Sequence, residues 1–174
     1  MLFKLPLTGL LLACCALQPA SAADNIVANE SAVEAAFLYN FALFTEWPNL
    51  PDNEFKICVL GSEELLTALE SVKHKQIKQL PINVASIPTI NQAQSCQVLF
   101  VGKSEHASIS KLAKQIGNAP VLVVSEENSY NPKDVIISLV TQQDHIAFKI
   151  NRTLALANSL TVSSKLLKLA QQVY

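Results

Sequence analysis

Residues 31–48, SAVEAAFLYNFALFTEWP, carry the densest apolar patterning in the chain. Val33, Phe37, Phe41 and Phe44 repeat at helical spacing around Asn40, and Ala35, Leu38, Ala42 and Thr45 form a second stripe nearly as apolar. A helix greasy on both sides is covered on both sides, either by its own domain's core and a loop or by core on one side and a partner chain on the other. Ser31 and Glu34 have the spacing of a capping box, which predicts the helix start there. Pro48 predicts its stop, since it disfavours a helical Trp47.

Downstream the period shortens. Residues 55–60 (FKICVL), 96–101 (CQVLFV) and 121–124 (VLVV) are near-continuous apolar runs of high β-propensity, the pattern of strands buried on both faces of a parallel sheet. Residues 80–87 alternate and predict a half-exposed strand closed by Pro88. Ser62 predicts a helix to about Val72 with Leu65, Leu66 and Leu69 inward, followed by a solvated charged exit at 73–78. Ser104 predicts the cap of a helix over 104–116, with Ile109, Leu112, Ala113 and Ile116 inward and Gly117 as its stop. Residues 134–140 and 145–150 read as a hairpin across 141–144. Asn151 then caps 152–157, Asn158-Ser159 interrupts, and Ser163 or Ser164 opens a last helix with Leu166, Leu167, Ala170 and Val173 inward. The expected fold is α/β: a single mixed, mainly parallel sheet between helices, ending in an antiparallel hairpin and a helical C-terminus.

The first 22 residues change the setting. Lys4, the apolar run 5–17 and Ala20-Ser21-Ala22 have the layout of a cleaved secretory signal. Pro6, Thr8 and Gly9 break the run that a membrane anchor would need. Leu11-Leu12-Ala13-Cys14 offers the alternative of a lipid-anchored form attached at Cys14. The domain division is therefore 1–22 signal peptide and 23–174 a single exported domain. Lys4 is the only charge in the signal, so the formal net charge moves from −1 to −2 on its removal. With no polybasic run, nucleic acid and anionic membrane surfaces are poor partners.

Cys58 and Cys96 are the cysteines left after cleavage. In an oxidising compartment such a pair reads as one disulfide, structural or redox-sensing, and two thiolates alone would not complete a metal site. Gly102-Lys103-Ser104 mimics the end of a phosphate-binding loop, but Gln97 stands where that motif needs glycine. His74, His106 and His145 read as solvated side chains with no metal-ligand spacing. Ser125-Glu126-Glu127 lies where α/β sheets place ligand groups. No nucleophile, base and orienter set emerges from spacing, so an enzyme is unsupported rather than excluded, and no cofactor is called for.

Several stretches together resemble the YfiR family: residues 35–41 (AAFLYNF) with Glu46-Trp47-Pro48, 57–61 (ICVLG), 96–100 (CQVLF) with Ser104-Glu105, 148–151 (FKIN) and 163–170 (SSKLLKLA). The resemblance implies a periplasmic repressor, not an enzyme, that binds the periplasmic part of a membrane diguanylate cyclase, lowering cyclic-di-GMP and restraining biofilm formation. It also implies an outer-membrane lipoprotein as a second partner, a homodimer, and pairing of Cys58 with Cys96. Ser159 departs from the glycine usual before Leu160, and some relatives carry a second cysteine pair. Two surfaces are candidates for partner contact or dimerisation: one side of the opening helix, with Leu38, Tyr39, Ala42 and Leu43 near Trp47, which is preferred, and the outer face of the last hairpin and helix. The competing reading is a periplasmic small-molecule sensor with a cleft lined by residues 125–128 and Gly61-Ser62.

Overall fold

The computed structural model describes residues 22–126, 132–142 and 145–174, so the signal segment, Cys14 and the Glu127 and Asn128 side of the expected cleft lie outside the described residues. Helix α1 (Ala22–Leu43) runs into the two-residue strand β1 (Thr45–Glu46). It is followed by β2 (Phe55–Leu60), α2 (Glu63–Ala68), β3 (Gln76–Ile77), β4 (Leu80–Ser86), β5 (Val98–Val101), α3 (Ile109–Ile116) and β6 (Leu122–Glu126). The chain closes with β7 (Ile137–Gln142), β8 (His145–Ile150), α4 (Arg152–Ala157), β9 (Thr161–Val162), α5 (Ser164–Leu169) and β10 (Gln172–Val173).

Eight strands form one sheet in the order β10-β8-β7-β6-β5-β2-β4-β3. The pairs β2–β4, β2–β5, β5–β6 and β6–β7 are parallel, while β7–β8 is antiparallel. The expected mixed α/β sheet with its terminal hairpin is therefore the observed one. The apolar runs earn their two-sided burial by alternation. Ile57, Val59, Val98, Phe100, Leu122 and Val124 enter the core under α1, and Cys58, Leu60, Leu99, Val101 and Val123 enter a second core under α3. In the first core Phe41 meets Phe148 edge-on at 5.0 Å, and Trp47 meets Phe55 at 5.1 Å. In the second, Cys58 and Cys96 are joined by a disulfide with Cα atoms 5.9 Å apart.

Local differences from the sequence reading have identifiable causes. Helix α1 begins well before Ser31, because residues 22–30 contain no glycine or proline and each added residue propagates the helix at little cost. It ends at Leu43, before Pro48, since β-branched Thr45 pairs with Val162 and the Phe44 carbonyl accepts from the Ser163 N–H at 2.9 Å. The 73–78 exit is not all solvated. Ile77 is wholly buried and pairs with Leu80 across a two-residue turn whose Lys78 and Gln79 both have positive φ, 52° and 68°, as a type I′ turn requires. Ser104 does not cap α3, which follows a 3₁₀ segment, Lys103–Ser108. Val173, expected inward, lies on the edge strand β10 and is 41% exposed.

The caps at Ser62, Asn151 and Ser163 form as expected, each accepting the backbone N–H three residues on. The break before Leu160 survives without the family's usual glycine. Asn158 has φ −91° and Ser159 takes the left-handed conformation at φ 58°. Asn158 instead donates through Nδ2 to the carbonyls of Gly117 and Ala119, at 3.2 and 2.8 Å, tying α4 to the loop after α3.

Candidate functional site

The sheet reverses its order of winding between β2 and β5, and their carboxyl ends are where an open α/β sheet leaves a crevice. Two tight turns build its floor. Gly61, at φ 75°, swings the chain from β2 into α2, and Gly102 passes directly against it. The Gly102 N–H donates to the Leu60 carbonyl at 2.8 Å, and the Ser104 hydroxyl donates to the Gly61 carbonyl at 3.0 Å. The Gly-Lys-Ser stretch thus locks one strand-end turn to the next.

Above this floor, the middle of α1 brings Glu30, Ser31 and Glu34, and the end of β6 brings Glu126. With Gly61, Ser62, Glu64, Lys103 and Ser104 they line a cavity of about 230 Å³. Carboxylate oxygens of Glu30, Glu34 and Glu126 all lie within 4.8 Å of one another. Lys103 forms an ion pair with Glu126, and Thr141 donates its hydroxyl to Glu30 at 3.0 Å. Glu34 is only 5% exposed. Burial, then the charges of Glu126 and Glu30, push its carboxyl up to about 8, with Lys103 opposing. The bond to Glu126 holds the Lys103 ammonium above the usual lysine range.

The S-x-x-E spacing read as a capping box is therefore a helix face. Ser31 and Glu34 lie three residues apart within α1, so both side chains point the same way into the crevice. His106, expected to be solvated, is half-buried with Nε2 3.1 Å from the Ser125 hydroxyl. Ser125 is wholly buried and donates to the Val101 carbonyl at 2.7 Å. Together these contacts tie β6 to β5 and to the 3₁₀ segment that carries His106, and burial lowers the pKa of that imidazole.

The YfiR/HmsC-like family profile matches residues 31–171. The chain belongs to that family. No curated protein matches the chain. Among solved structures it is similar in fold to "the ABC domain in complex with L-Trp from Streptococcus pneumonia", with a TM-score of 0.50 and 12% identity over 69% of this chain. The chain spans 55% of the length of that structure.

In this YfiR/HmsC-like chain the five residues nominated for partner contact do not share one open surface. Leu38 and Ala42 are wholly buried, and Trp47 is 9% exposed against Phe55, because α1 lies directly on the sheet. Tyr39 and Leu43 are half-buried at the margin of that core. The Tyr39 hydroxyl donates to the Gln76 carbonyl at 3.5 Å, and Lys75 sits over its ring at 4.7 Å. Among the described residues no helix is long and apolar enough to cross a membrane.

Proposed function

We propose that this protein is a periplasmic regulator that binds the periplasmic part of a membrane diguanylate cyclase and represses it, lowering cyclic-di-GMP and restraining biofilm formation. The observation that carries the reading is the family match over nearly the whole described domain. The disulfide between two enclosed cysteines accords with an exported, oxidised protein. Repression then works by linkage: a protein that binds only the inactive form of its partner shifts the population by its differential affinity. An outer-membrane lipoprotein competing for the same surface would release the cyclase, and a homodimer is part of the proposal. Of the nominated contact residues, Tyr39 and Leu43 have surface to offer. Deleting the gene and measuring cellular cyclic-di-GMP tests the reading: a rise supports it, and an unchanged level overturns it.

The second reading, a small-molecule sensor, is favoured by the crevice between the β2 and β5 ends, where Gly61, Ser62 and Glu126 come together as that reading anticipated. A ligand that raises the melting temperature saturably would identify it.

A further inference from the structure

Three carboxylates converge in the crevice from separate elements, Glu30 and Glu34 from α1 and Glu126 from β6. Two of them have partners, Thr141 for Glu30 and Lys103 for Glu126. Glu34 is the exception. It is 95% buried, lines the cavity, and among the described residues receives no hydrogen bond, only the electrostatic influence of Glu126, Glu30 and Lys103. A buried carboxylate without a donor is costly unless something else fills its lone pairs.

We propose that this crevice binds a hard divalent cation, Ca²⁺, through the carboxylates of Glu30, Glu34 and Glu126. All-oxygen donors select hard cations, and the absence of a thiolate or imidazole from the triad disfavours zinc. Donor oxygens on a Ca²⁺ shell of radius about 2.4 Å lie at most about 4.8 Å apart, whereas the shorter bonds of Mg²⁺ ask for a tighter cluster. Oxygens that all lie within 4.8 Å of one another can share such a Ca²⁺ shell. Once all three carboxylates are ionised they outweigh the single ammonium of Lys103 by two charges, which one such ion neutralises, so entry of the ion releases the proton that Glu34 holds. A cavity of about 230 Å³ has room for the ion and the waters that complete its shell. Lys103, whose side chain is 58% exposed, acts as the internal competitor and swings to solvent when the ion enters. This inference stands apart from the repressor reading; either can fail without the other.

The test is a thermal melt of chelator-treated, disulfide-bonded mature protein titrated with CaCl₂, MgCl₂ or MnCl₂ at fixed ionic strength. Wild type should show a saturable rise with Ca²⁺, half-complete on the order of 10⁻⁴ to 10⁻³ M, the range of exported calcium modules. Glu34→Gln and Glu126→Gln should each lose the response. Lys103→Met should lower the half-saturating concentration severalfold, and it keeps the test open if a glutamine variant fails to fold. The proposal is overturned by a wild type without a saturable response, by either glutamine variant keeping the wild-type response, or by Lys103→Met binding no more tightly than wild type.

Discussion

Gly102 lies against Gly61 so closely that a Cβ built on it would be 2.3 Å from the Gly61 carbonyl oxygen. The obstacle is backbone, held by the Gly102 N–H bond to Leu60 and the Ser104 bond to Gly61, so it has nowhere to yield. Gly102→Ala should cost about 1–3 kcal/mol in urea unfolding, as overpacking does. Since the same turns floor the crevice, the variant should also lose any ligand response measured there.

The second expectation concerns pH. In the folded protein Glu34 keeps its proton up to about 8, against an ordinary value of 4.5. A raised carboxyl pKa adds stability that is complete below the unfolded value and is lost as pH rises through the folded one. Melting temperature in chelator should therefore fall between pH 4.5 and about 8, and Glu34→Gln should flatten that part of the profile. A wild-type curve matching that of the variant would place the titration elsewhere.

Of the three non-glycine residues with left-handed backbone among those described, Lys78, Gln79 and Ser159, the last two lie furthest into that region, Gln79 at φ 68° and Ser159 at φ 58°. Replacing either by glycine removes the Cβ clash, and each should stabilise the fold by roughly 1 kcal/mol. Chemical denaturation of the single and double variants checks this, with additive gains expected because the sites lie in separate turns.

Reduction of Cys58–Cys96 opens a loop spanning 38 positions. In the chain-entropy model the loss is about 4 kcal/mol. Both cysteines are enclosed, at 0% and 1% exposure, so a mild reductant should act only as fast as the domain opens. Thiol labelling against time, compared with the unfolding rate, distinguishes this from direct attack.

Leu43 marks the outer margin of the α1 core. Leu43→Glu should weaken assembly with a partner or second copy while leaving the melting temperature nearly unchanged. A large fall in melting temperature would instead assign the side chain to the core. Analytical ultracentrifugation alongside the melt separates the two outcomes.

How far these features could be read from residues alone follows from their physics. The strands at 55–60, 98–101 and 122–126 were legible because both faces are apolar, and no other element looks like that. The caps at Ser62, Asn151 and Ser163 were legible because capping is local. The β3–β4 hairpin was hidden because its turn uses Lys78-Gln79 where asparagine and glycine would announce it. The crevice was half visible. Glu126 and Gly61 mark strand ends, but Ser31 and Glu34 have a spacing that serves a helix start and a helix face equally. Long-range placement decided between them: the chain before Ser31 continues the helix, and Glu126 lies across from it.

The sheet's outermost strands are each two residues long, Gln172–Val173 at one border and Gln76–Ile77 at the other. Gln76–Ile77 covers only Leu80 and Pro81 of β4, so among the described residues no strand pairs with the outer backbone of 82–86. A second copy or a receptor therefore has two kinds of surface to grip, that strand edge and the side chains of the helical flanks.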